Sequence, residues 1–291
     1  MEESDFVKVG PTAYHQAEYR VIYGIPYSKE ILEQMSKHNL STMNIPGRDF
    51  IIPAFEARYK GTDEVLKSYI EDSYITQILE LASGMSPQGM IYAKTYPHVT
   101  YVETDLDYMV EIKENIVRTI LGSVPQNLHV VQANCLDLDS LERGLQTFDP
   151  LKPVVVFHIG LISYLTIDEK KILAQNIRHI LSKFGGVWIT PDLAMHNKRR
   201  MGMYRDLAHK QEVDAMIAQR TGTNYDAKSF EDEHDTDAFL RDVGFDIKKI
   251  SQLSGYEMLS FAELNLGEGE RQRILDNLHE YGKVWVLSVK R

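Results

Sequence analysis

Seven short β-rich runs alternate with helix-patterned segments from residue 74 to the end of the chain. They read ITQILEL, VTYVET, LHVVQA, PVVVFHI, GVWIT, FDIKKI and KVWVLSV. This alternation is typical of an α/β fold with a mostly parallel sheet, because a parallel neighbour is reached through a crossover. The continuous apolar run Val154 to Phe157 indicates a central strand that is covered on both faces. Spacing alone leaves the direction of the last strand open, since residues 255–282 could hold a crossover helix.

Two regions fall outside this alternation. Residues 1–73 are predicted to form an N-terminal helical cap. Residues 192–235 form a long polar insertion rich in Met, His, Tyr and Arg. Insertions of this size in a compact domain are usually functional lids or disordered loops. The helical spacing of Met201, Tyr204 and Leu207 favours an ordered lid.

Charge balance and composition argue against several classes of function. The 32 basic and 42 acidic residues give a net charge of −10, which opposes a broad basic surface for nucleic acid or anionic membrane. The hydrophobic fraction of 43% is ordinary for a soluble globular protein. The single cysteine, Cys135, excludes a disulfide within the chain and fits a reducing compartment. Without a signal-peptide pattern or an apolar run of ~18 residues, the sequence predicts a cytoplasmic protein.

The stretch ILELASGMSPQG carries the turn that follows the first strand. In a parallel sheet, ligands bind beyond the carboxyl ends of the strands, so this turn is expected at the binding edge. It lacks the G-x-G-x-x-G pattern of a dinucleotide loop, and Gly84 supplies either a positive φ or room for a ligand. Glu80 at the strand end would repel a pyrophosphate but attract a cation. The turn therefore favours a ligand without phosphates.

A second acid, Asp105, ends the next strand in the stretch VETDLD. It follows Gly84 by about 20 residues, the separation at which doubly wound nucleotide folds place a carboxylate on the ribose hydroxyls. One carboxylate can accept from both hydroxyls, which explains the residue type. Helix capping is the competing explanation for Asp105. Together the two strand ends predict a ligand with a ribose and an adjacent positive charge, and S-adenosylmethionine matches this description.

These motifs resemble those of class I S-adenosylmethionine-dependent methyltransferases. In particular they resemble the leucine carboxyl methyltransferase group, which includes O-methyltransferases of polyketide pathways. The resemblance is detailed from Phe55 to Thr166 and covers the rest of the sheet in outline. It implies a Rossmann-like, seven-stranded, mostly parallel α/β sheet with an antiparallel last strand and helices on both faces. The methyltransferase domain would span residues 74–291, and the N-terminal helices and the lid would set the acceptor pocket.

The resemblance assigns several residues to the cofactor. The segment FEARYKGTDEVLKSYI is similar to the part of the group that carries a cofactor-binding arginine, so Arg58 would pair with the cofactor's carboxylate. The motif ELASGMSPQG would place Glu80, Ala82 and Gly84 around the amino-acid tail. Asp105 matches the acid that ends the second strand. A surface ion pair with a neighbouring acid is the competing role for Arg58.

The loops after the third and fourth strands match the group with one departure each. The stretch ANCLDLDSL is similar to the loop near the adenine, with Asn134 in place of its first acid and Asp137 retained. Cys135 lies in the same loop and is predicted to line the cofactor site there, as a small packing residue. The stretch FHIGLISYLT matches the group's glycine, leucines and tyrosine but has Ile159 in place of a glutamate. The neighbouring His158 could compensate for the missing acid.

Candidate residues for the transfer step and for the acceptor follow from the same arrangement. His158 and Tyr164 are predicted to contact the reacting groups, because the end of the fourth strand faces the site in this fold. The competing interpretation for both is a buried side chain that stabilises the fold and does not contact the reacting groups. Tyr204, His196 and Arg205 of the lid would shape the acceptor pocket. The stretch FEDEHDTDAFL lacks a recognised metal-ligand spacing and is explained by a helix start, so no metal is predicted.

The predicted function is S-adenosylmethionine-dependent methyl transfer to a small molecule, at a hydroxyl or a carboxylate oxygen. A carboxylate acceptor needs no general base, whereas a hydroxyl needs one within hydrogen-bond reach. The departures at Asn134 and Ile159 motivate one alternative, a non-catalytic cofactor-binding or scaffold protein. A second alternative, an NAD-dependent oxidoreductase, is opposed by the missing phosphate loop.

Overall fold

The computed structural model of this chain describes residues 14–37, 45–72, 75–222 and 224–290, apart from the side chains of residues 220 and 221. The other parts of the predicted N-terminal cap lie outside the described residues. Within the described part, this cap is made of helices at residues 14–22, Ser28–Ser36 and Arg48–Asp72.

One seven-stranded sheet lies at the centre of the described chain. Its strands are β1 Gln77–Leu81, β2 Thr100–Asp105, β3 Leu128–Gln132, β4 Val154–Phe157, β5 Gly186–Thr190, β6 Phe245–Ser251 and β7 Lys283–Val289. The order is β3-β2-β1-β4-β5-β7-β6. The first five strands pair in parallel, whereas β7 lies antiparallel between β5 and β6. Every predicted run contains a strand, and the pairing confirms the antiparallel last strand that the resemblance implies.

The remaining helices connect the strands or belong to the lid region. They span Gln88–Thr95, Asp107–Leu121, Leu138–Gly144, Ile167–Phe184, Asn197–Gly202, Leu207–Thr221, Tyr225–Lys228, Glu233–Val243, Ser260–Glu263 and Glu268–Tyr281. Short 3₁₀ turns follow β4 at Ile162–Tyr164 and β5 at Asp192–Ala194. Over the described residues, no helix combines the length and the apolar character needed to cross a bilayer.

Alternate side chains of the central strands enter two separate hydrophobic cores. Val156 belongs to the core that includes the helix Ile167–Phe184. Its neighbour Val155 belongs to the core that includes the helix Asp107–Leu121. Successive residues of a strand point to opposite faces of the sheet. The sheet is therefore covered by helices on both sides, as predicted.

A capping box fixes the start of the helix Ile167–Phe184 beside the loop after β4. The Thr166 hydroxyl accepts from the Glu169 N–H at 3.2 Å, and the Glu169 carboxylate accepts from the Thr166 N–H at 2.8 Å. These bonds satisfy N–H groups that have no partner inside the helix. The loop 159–166 is thereby held at the carboxyl edge of the sheet.

The lid region is helical, but its helices differ from the predicted stripe. The three residues whose spacing favoured an ordered lid, Met201, Tyr204 and Leu207, do not lie in one helix, because the helix Asn197–Gly202 ends before Tyr204. The next helix begins after Asp206, whose carboxylate accepts from an N–H of the first turn at 2.8 Å. An aspartate in this position stabilises a helix start, so a second helix begins here.

Candidate active site

A cavity of about 590 Å³ lies at the carboxyl ends of β1 to β4. The loops after these strands form one side of it, at residues 82–85, 105–106, 133–136, 159–161 and 163–166. Side chains of the N-terminal helices and of the lid region form the opposite side. The position agrees with the rule that open parallel sheets bind ligands beyond the carboxyl ends of their strands. The size is that of a small-molecule site, which typically measures roughly 300–1,000 Å³.

The turn after β1 uses its own amide groups to hold its shape. The Ser83 N–H donates to a carbonyl of β2 at 3.0 Å, and the Gly84 N–H donates to Asp105 Oδ2 at 2.7 Å. The Ser86 N–H donates back to the Ser83 carbonyl at 2.9 Å. Ala82 and Gly84 both have a φ of 50°, the left-handed backbone of a sharp turn. These three amides are already bonded within the protein, so they do not form the free amide nest that a pyrophosphate requires.

Asp105 lines the cavity at the end of β2. Its two oxygens accept from the N–H groups of Gly84 at 2.7 Å and Leu106 at 2.8 Å. Burial raises the pKa of this carboxyl, although the two N–H groups oppose the shift. A carboxylate has about four lone-pair positions, so both oxygens keep the capacity to accept from a ligand. Asp105 is held in place by these two N–H groups, and its contact with a ribose stays a prediction.

The loop after β3, predicted to lie near the adenine, has two residues on the cavity wall. Asn134 lines the cavity, and its Oδ1 accepts from the N–H two residues later at 3.0 Å. Cys135 also lines it, and burial raises the pKa of its thiol to about 12, so the side chain packs in its neutral form. Asp137 is not part of the described lining, because it caps the helix Leu138–Gly144 by accepting from the Ser140 N–H at 3.2 Å. The geometry does not support the predicted cofactor contact of Asp137.

Glu80, predicted beside the amino-acid tail, is not among the described residues that line the cavity. Its carboxyl accepts from the Tyr101 hydroxyl at 2.8 Å inside the protein. Burial and the nearby charge of Glu103 raise the pKa of Glu80. Lys113 pairs with Glu103 at 3.1 Å. Glu80 therefore belongs to a buried charge cluster, and the geometry does not support its predicted contact with the tail.

Arg58 lines the cavity, and an acid holds one end of its guanidinium. Nη2 donates to Oδ1 of Asp192 at 2.6 Å, and the guanidinium carbon lies 5.1 Å from the centre of the Phe55 ring. Nε is buried and has no hydrogen-bond partner among the described residues. The competing interpretation, a surface ion pair with a neighbouring acid, is wrong because Arg58 is buried. The predicted pairing with a cofactor carboxylate stays a prediction that this position allows.

His158 is fully buried and lies outside the described cavity lining. Its Nε2 accepts from the Trp188 indole N–H at 3.2 Å, and its Nδ1 lies 3.1 Å from Oδ2 of Asp192. An indole N–H can only donate, so the ring proton of His158 lies on Nδ1 and is donated to Asp192. Both ring nitrogens are thus engaged inside the protein. The geometry supports a structural histidine rather than the predicted contact with acceptor or cofactor.

The other predicted acceptor residues separate into two groups. Tyr164 and Tyr204 line the cavity. His196 is buried outside the described lining, because its ring caps the first lid helix by accepting from the Arg199 N–H at 3.3 Å. Arg205 is exposed and lines a separate surface recess. The geometry supports Tyr164 and Tyr204 as wall residues but not His196 or Arg205.

Several polar residues of the site were missed by sequence reasoning. Tyr19, Arg20 and Ser83 line the cavity. Their Oη, Nε and Oγ atoms are buried and, within the described part of the chain, lack a hydrogen-bond partner. Buried donors are normally satisfied, so these atoms indicate a bound group that accepts hydrogen bonds. No motif marks Tyr19 or Arg20, which belong to the helical residues 14–22.

Asp192 is a further residue that sequence reasoning missed. The prediction placed it at the start of the lid insertion, yet its buried carboxylate bonds Arg58, His158 and the loop after β4. One signal was present in the sequence. Asp192 follows strand β5 almost directly, and an acid at the carboxyl end of a parallel strand is a candidate for the binding edge.

Three polar side chains come together at the start of the helix Glu233–Val243. Ligand-type atoms of Asp232, His234 and Asp235 lie within 4.8 Å of one another. Asp232 Oδ1 caps the helix by accepting from the N–H groups of the other two residues at 2.9 and 3.1 Å. Its Oδ2 pairs with Lys198 at 2.7 Å. Helix capping and an ion pair account for this cluster, which is the helix start that the sequence predicts.

Comparisons with known proteins bear on the same region. The family model for leucine carboxyl methyltransferase matches residues 25–178, more than half of the chain. A putative methyltransferase from Thermobifida fusca is 15% identical, covers 95% of this chain and 94% of its own, and has a TM-score of 0.58. A DUF574 family protein from Streptomyces avermitilis is 15% identical, with 95% and 97% covered and a TM-score of 0.59. No match to the sequence is found among curated proteins.

The sheet order, the position of the cavity and the two structural similarities define a class I methyltransferase fold. The chain belongs to the leucine carboxyl methyltransferase family, and its cofactor is S-adenosyl-L-methionine. The predicted class and cofactor are confirmed, and the NAD-dependent alternative is set aside.

Proposed function

We propose that this protein transfers the methyl group of S-adenosylmethionine to an oxygen atom of a small, largely apolar acceptor. One observation carries the proposal, namely that a single cavity joins two different surfaces. The side next to the sheet carries the predicted cofactor residues Ala82, Gly84, Asp105, Asn134 and Cys135. The apolar side is contributed by the cap and the lid, with Ile51, Phe55, Met195, Met203, Val213 and Ile217.

The polar groups next to the sheet fit the cofactor's amino-acid tail and ribose. Arg58 Nε and Ser83 Oγ are buried donors whose described surroundings offer no partner, and a carboxylate would satisfy both. Asp105 keeps acceptor capacity for two ribose hydroxyls. Asn134 and Cys135 form the wall where the resemblance places the adenine. These residues would hold the cofactor without any amide nest for phosphates.

When bound, the cofactor supplies a methyl group that is already activated by positively charged sulfur. The chain's own task is to orient the acceptor oxygen and to exclude water. Residues 14–22 and the lid helices contribute the wall that faces the sheet loops, so they would cover the reacting groups. Tyr204 is buried there and presents an aromatic surface to the acceptor.

The charge of Arg200 on the lid wall is compensated within the protein. Arg200 lines the cavity and pairs with Asp214 and Asp226, each at 2.5 Å. Lys210 pairs with the same two acids at 2.7 and 2.6 Å. Burying a charged ligand without a free counter-charge is costly, so the wall around Arg200 favours an uncharged acceptor. Lys228 also lines the cavity, where its ammonium donates to the Tyr164 carbonyl at 2.6 Å. We therefore favour a hydroxyl over a carboxylate acceptor, with Tyr164 as the candidate to contact it.

Equilibrium binding of S-adenosylmethionine tests the cofactor site. Hydrogen bonds to a charged group are worth about 1.5–3 kcal/mol each, so Asp105→Ala should raise the Kd at least roughly tenfold. Asp107→Ala is the matched control, because Asp107 is exposed beside the same strand end and lies outside the described lining. Wild-type protein that fails to bind S-adenosylmethionine in titration calorimetry would refute the proposal.

Product formation tests the reaction itself. Wild-type protein, S-adenosylmethionine and a panel of apolar phenols, alcohols and carboxylic acids of matched size are incubated together. We expect S-adenosylhomocysteine to form with hydroxyl acceptors and in smaller amounts with carboxylic acids. Cofactor binding without transfer to any acceptor would instead support the non-catalytic alternative that Asn134 and Ile159 motivate.

A further inference from the structure

The carboxylate of Asp192 is fully buried and accepts hydrogen bonds from five groups. Arg58 Nη2 donates to Oδ1 at 2.6 Å, and His158 Nδ1 lies 3.1 Å from Oδ2. The N–H groups of residues 160–162 donate to the two oxygens at distances between 2.8 and 3.3 Å. Buried carboxylates are stable only when paired and hydrogen-bonded, and this one meets both conditions.

Asp192 keeps its negative charge in this setting. Burial alone would raise the pKa of Asp192, but the Arg58 guanidinium and the His158 ring hold the pKa of this carboxyl well below its usual range. The Asp192 N–H also donates to the Thr190 hydroxyl at 3.1 Å, which fixes the backbone of this residue. The negative charge of Asp192 is therefore held at a fixed position, where the end of β5 meets the loop after β4.

This charge joins two parts of the cavity wall that are distant in sequence. Arg58 comes from the helix Arg48–Asp72, and Gly160 and Leu161 come from the loop after β4. All three line the cavity, whereas Asp192 does not belong to the described lining. The acid that bonds this loop comes from the end of the neighbouring strand β5.

We propose that Asp192 is a positioning residue for cofactor binding: it orients the Arg58 guanidinium toward the cofactor's carboxylate. This inference rests on the proposed function, since it takes the carboxylate to be that of S-adenosylmethionine. A guanidinium is planar, so fixing Nη2 on Asp192 also fixes the directions of its other donors. Arg58 Nε is one of these donors and has no partner inside the described structure.

Two ligands separate positioning of Arg58 from a general structural effect. S-adenosylhomocysteine carries the amino-acid tail, whereas 5′-methylthioadenosine has the same nucleoside without it. The variant Asp192→Asn keeps the shape of the side chain and removes its charge. We expect its Kd for S-adenosylhomocysteine to rise roughly 10- to 100-fold, while its Kd for 5′-methylthioadenosine stays within about threefold of wild type. Asp242→Asn, at a well-exposed aspartate, is the matched control and should change neither value.

The results that would overturn the inference are distinct from those that would overturn the proposed function. An equal loss of both ligands in Asp192→Asn would indicate a structural role only, and no loss of either would exclude any role. Wild-type protein that binds neither ligand would instead refute the proposed function, and the inference with it.

Asp192→Asn leaves a buried arginine without its counter-charge, which can prevent folding. A second variant provides the test in that case. Arg58→Gln combined with Asp192→Asn removes both charges. We expect the double variant to bind S-adenosylhomocysteine no more weakly than Arg58→Gln alone, since Asp192 would act through Arg58. If the double variant bound S-adenosylhomocysteine tenfold more weakly than Arg58→Gln, this would contradict an action of Asp192 through Arg58.

Discussion

At the scale of single residues, Tyr19 places a buried polar group on the cavity wall. The side chain is 1% exposed, and its hydroxyl is without a partner in the described part of the chain. Burial raises the pKa of Tyr19 well above its usual range, so the hydroxyl stays protonated and available as a donor. An unsatisfied buried hydroxyl costs about 1–3 kcal/mol, which a ligand could recover. Tyr19 therefore brings a hydrogen-bond donor of the N-terminal cap to the cavity wall.

Replacing this hydroxyl should have opposite effects on stability and on binding. In Tyr19→Phe we expect the unliganded protein to gain about 1 kcal/mol in the free energy of unfolding, because the penalty disappears. Ligand affinity should fall several-fold. Urea denaturation and titration calorimetry measure the two quantities. Tyr59→Phe is the matched control, since the Tyr59 hydroxyl is also buried without a described partner but lies outside the cavity lining. Unchanged ligand affinity in both variants would exclude a binding role for Tyr19.

At the scale of elements, the long helix Arg48–Asp72 is placed by close packing at one glycine. A Cβ at Gly61 would lie 2.6 Å from the carbonyl oxygen of Gln252 and 2.7 Å from its Cα. Both neighbours are backbone atoms directly after β6, which cannot move aside as a flexible side chain would. Arg58 lies one turn earlier on the same helix. The contact at Gly61 therefore sets the distance between this arginine and the sheet.

Moving this helix should affect both the fold and the cofactor site. Gly61→Ala is expected to destabilise the protein by about 1–3 kcal/mol, as overpacking of a well-filled contact does. It should also weaken S-adenosylhomocysteine binding, because Arg58 shifts with the helix. Gly269→Ala provides the comparison, since a Cβ there meets no atom within 4 Å of the described structure. Helix propensity alone should stabilise that variant by up to about 1 kcal/mol. Similar unfolding curves for the two variants would contradict the packing argument.

At the scale of the whole molecule, a buried charge cluster makes stability depend on pH. Glu80 and Glu103 are both buried, and Lys113 pairs with Glu103 at 3.1 Å. Burial, and after it the Glu103 charge, raise the pKa of Glu80 from 4.5 to about 8. In the unfolded chain Glu80 would lose its proton near its usual pKa. Between the two values unfolding releases a proton, so the contribution of Glu80 to stability is lost as the pH rises.

The variant Glu80→Gln tests this dependence, because glutamine keeps an acceptor for Tyr101 and cannot ionise. The free energy of unfolding of wild type should fall relative to the variant from about pH 5 to about pH 8, by at most about 1.4 kcal/mol per pH unit. Urea denaturation at several pH values measures the difference. In Glu111→Gln, at an exposed glutamate, the free energy of unfolding should depend on pH as it does in wild type. Parallel curves for Glu80→Gln as well would show that Glu80 is ionised in the folded protein.

Local patterns in the sequence were sufficient for the elements and for part of the site. Each β-rich run became a strand. Asp105 and Arg58 reached the cavity because strand ends and a family motif place them there. Strand alternation, caps and turns depend on neighbouring residues, so they can be read from a short window of sequence.

Only the tertiary structure decided which side chains meet. The direction of β7 follows from its pairing with β5 and β6, and these partners are distant in sequence. His158 sits at a strand end, as Asp105 does, yet Asp192 and Trp188 draw it into the interior. Whether a strand-end residue faces a cavity or a core depends on long-range packing and on which buried charges need partners. No local pattern records this, because the partners come together only when the chain folds.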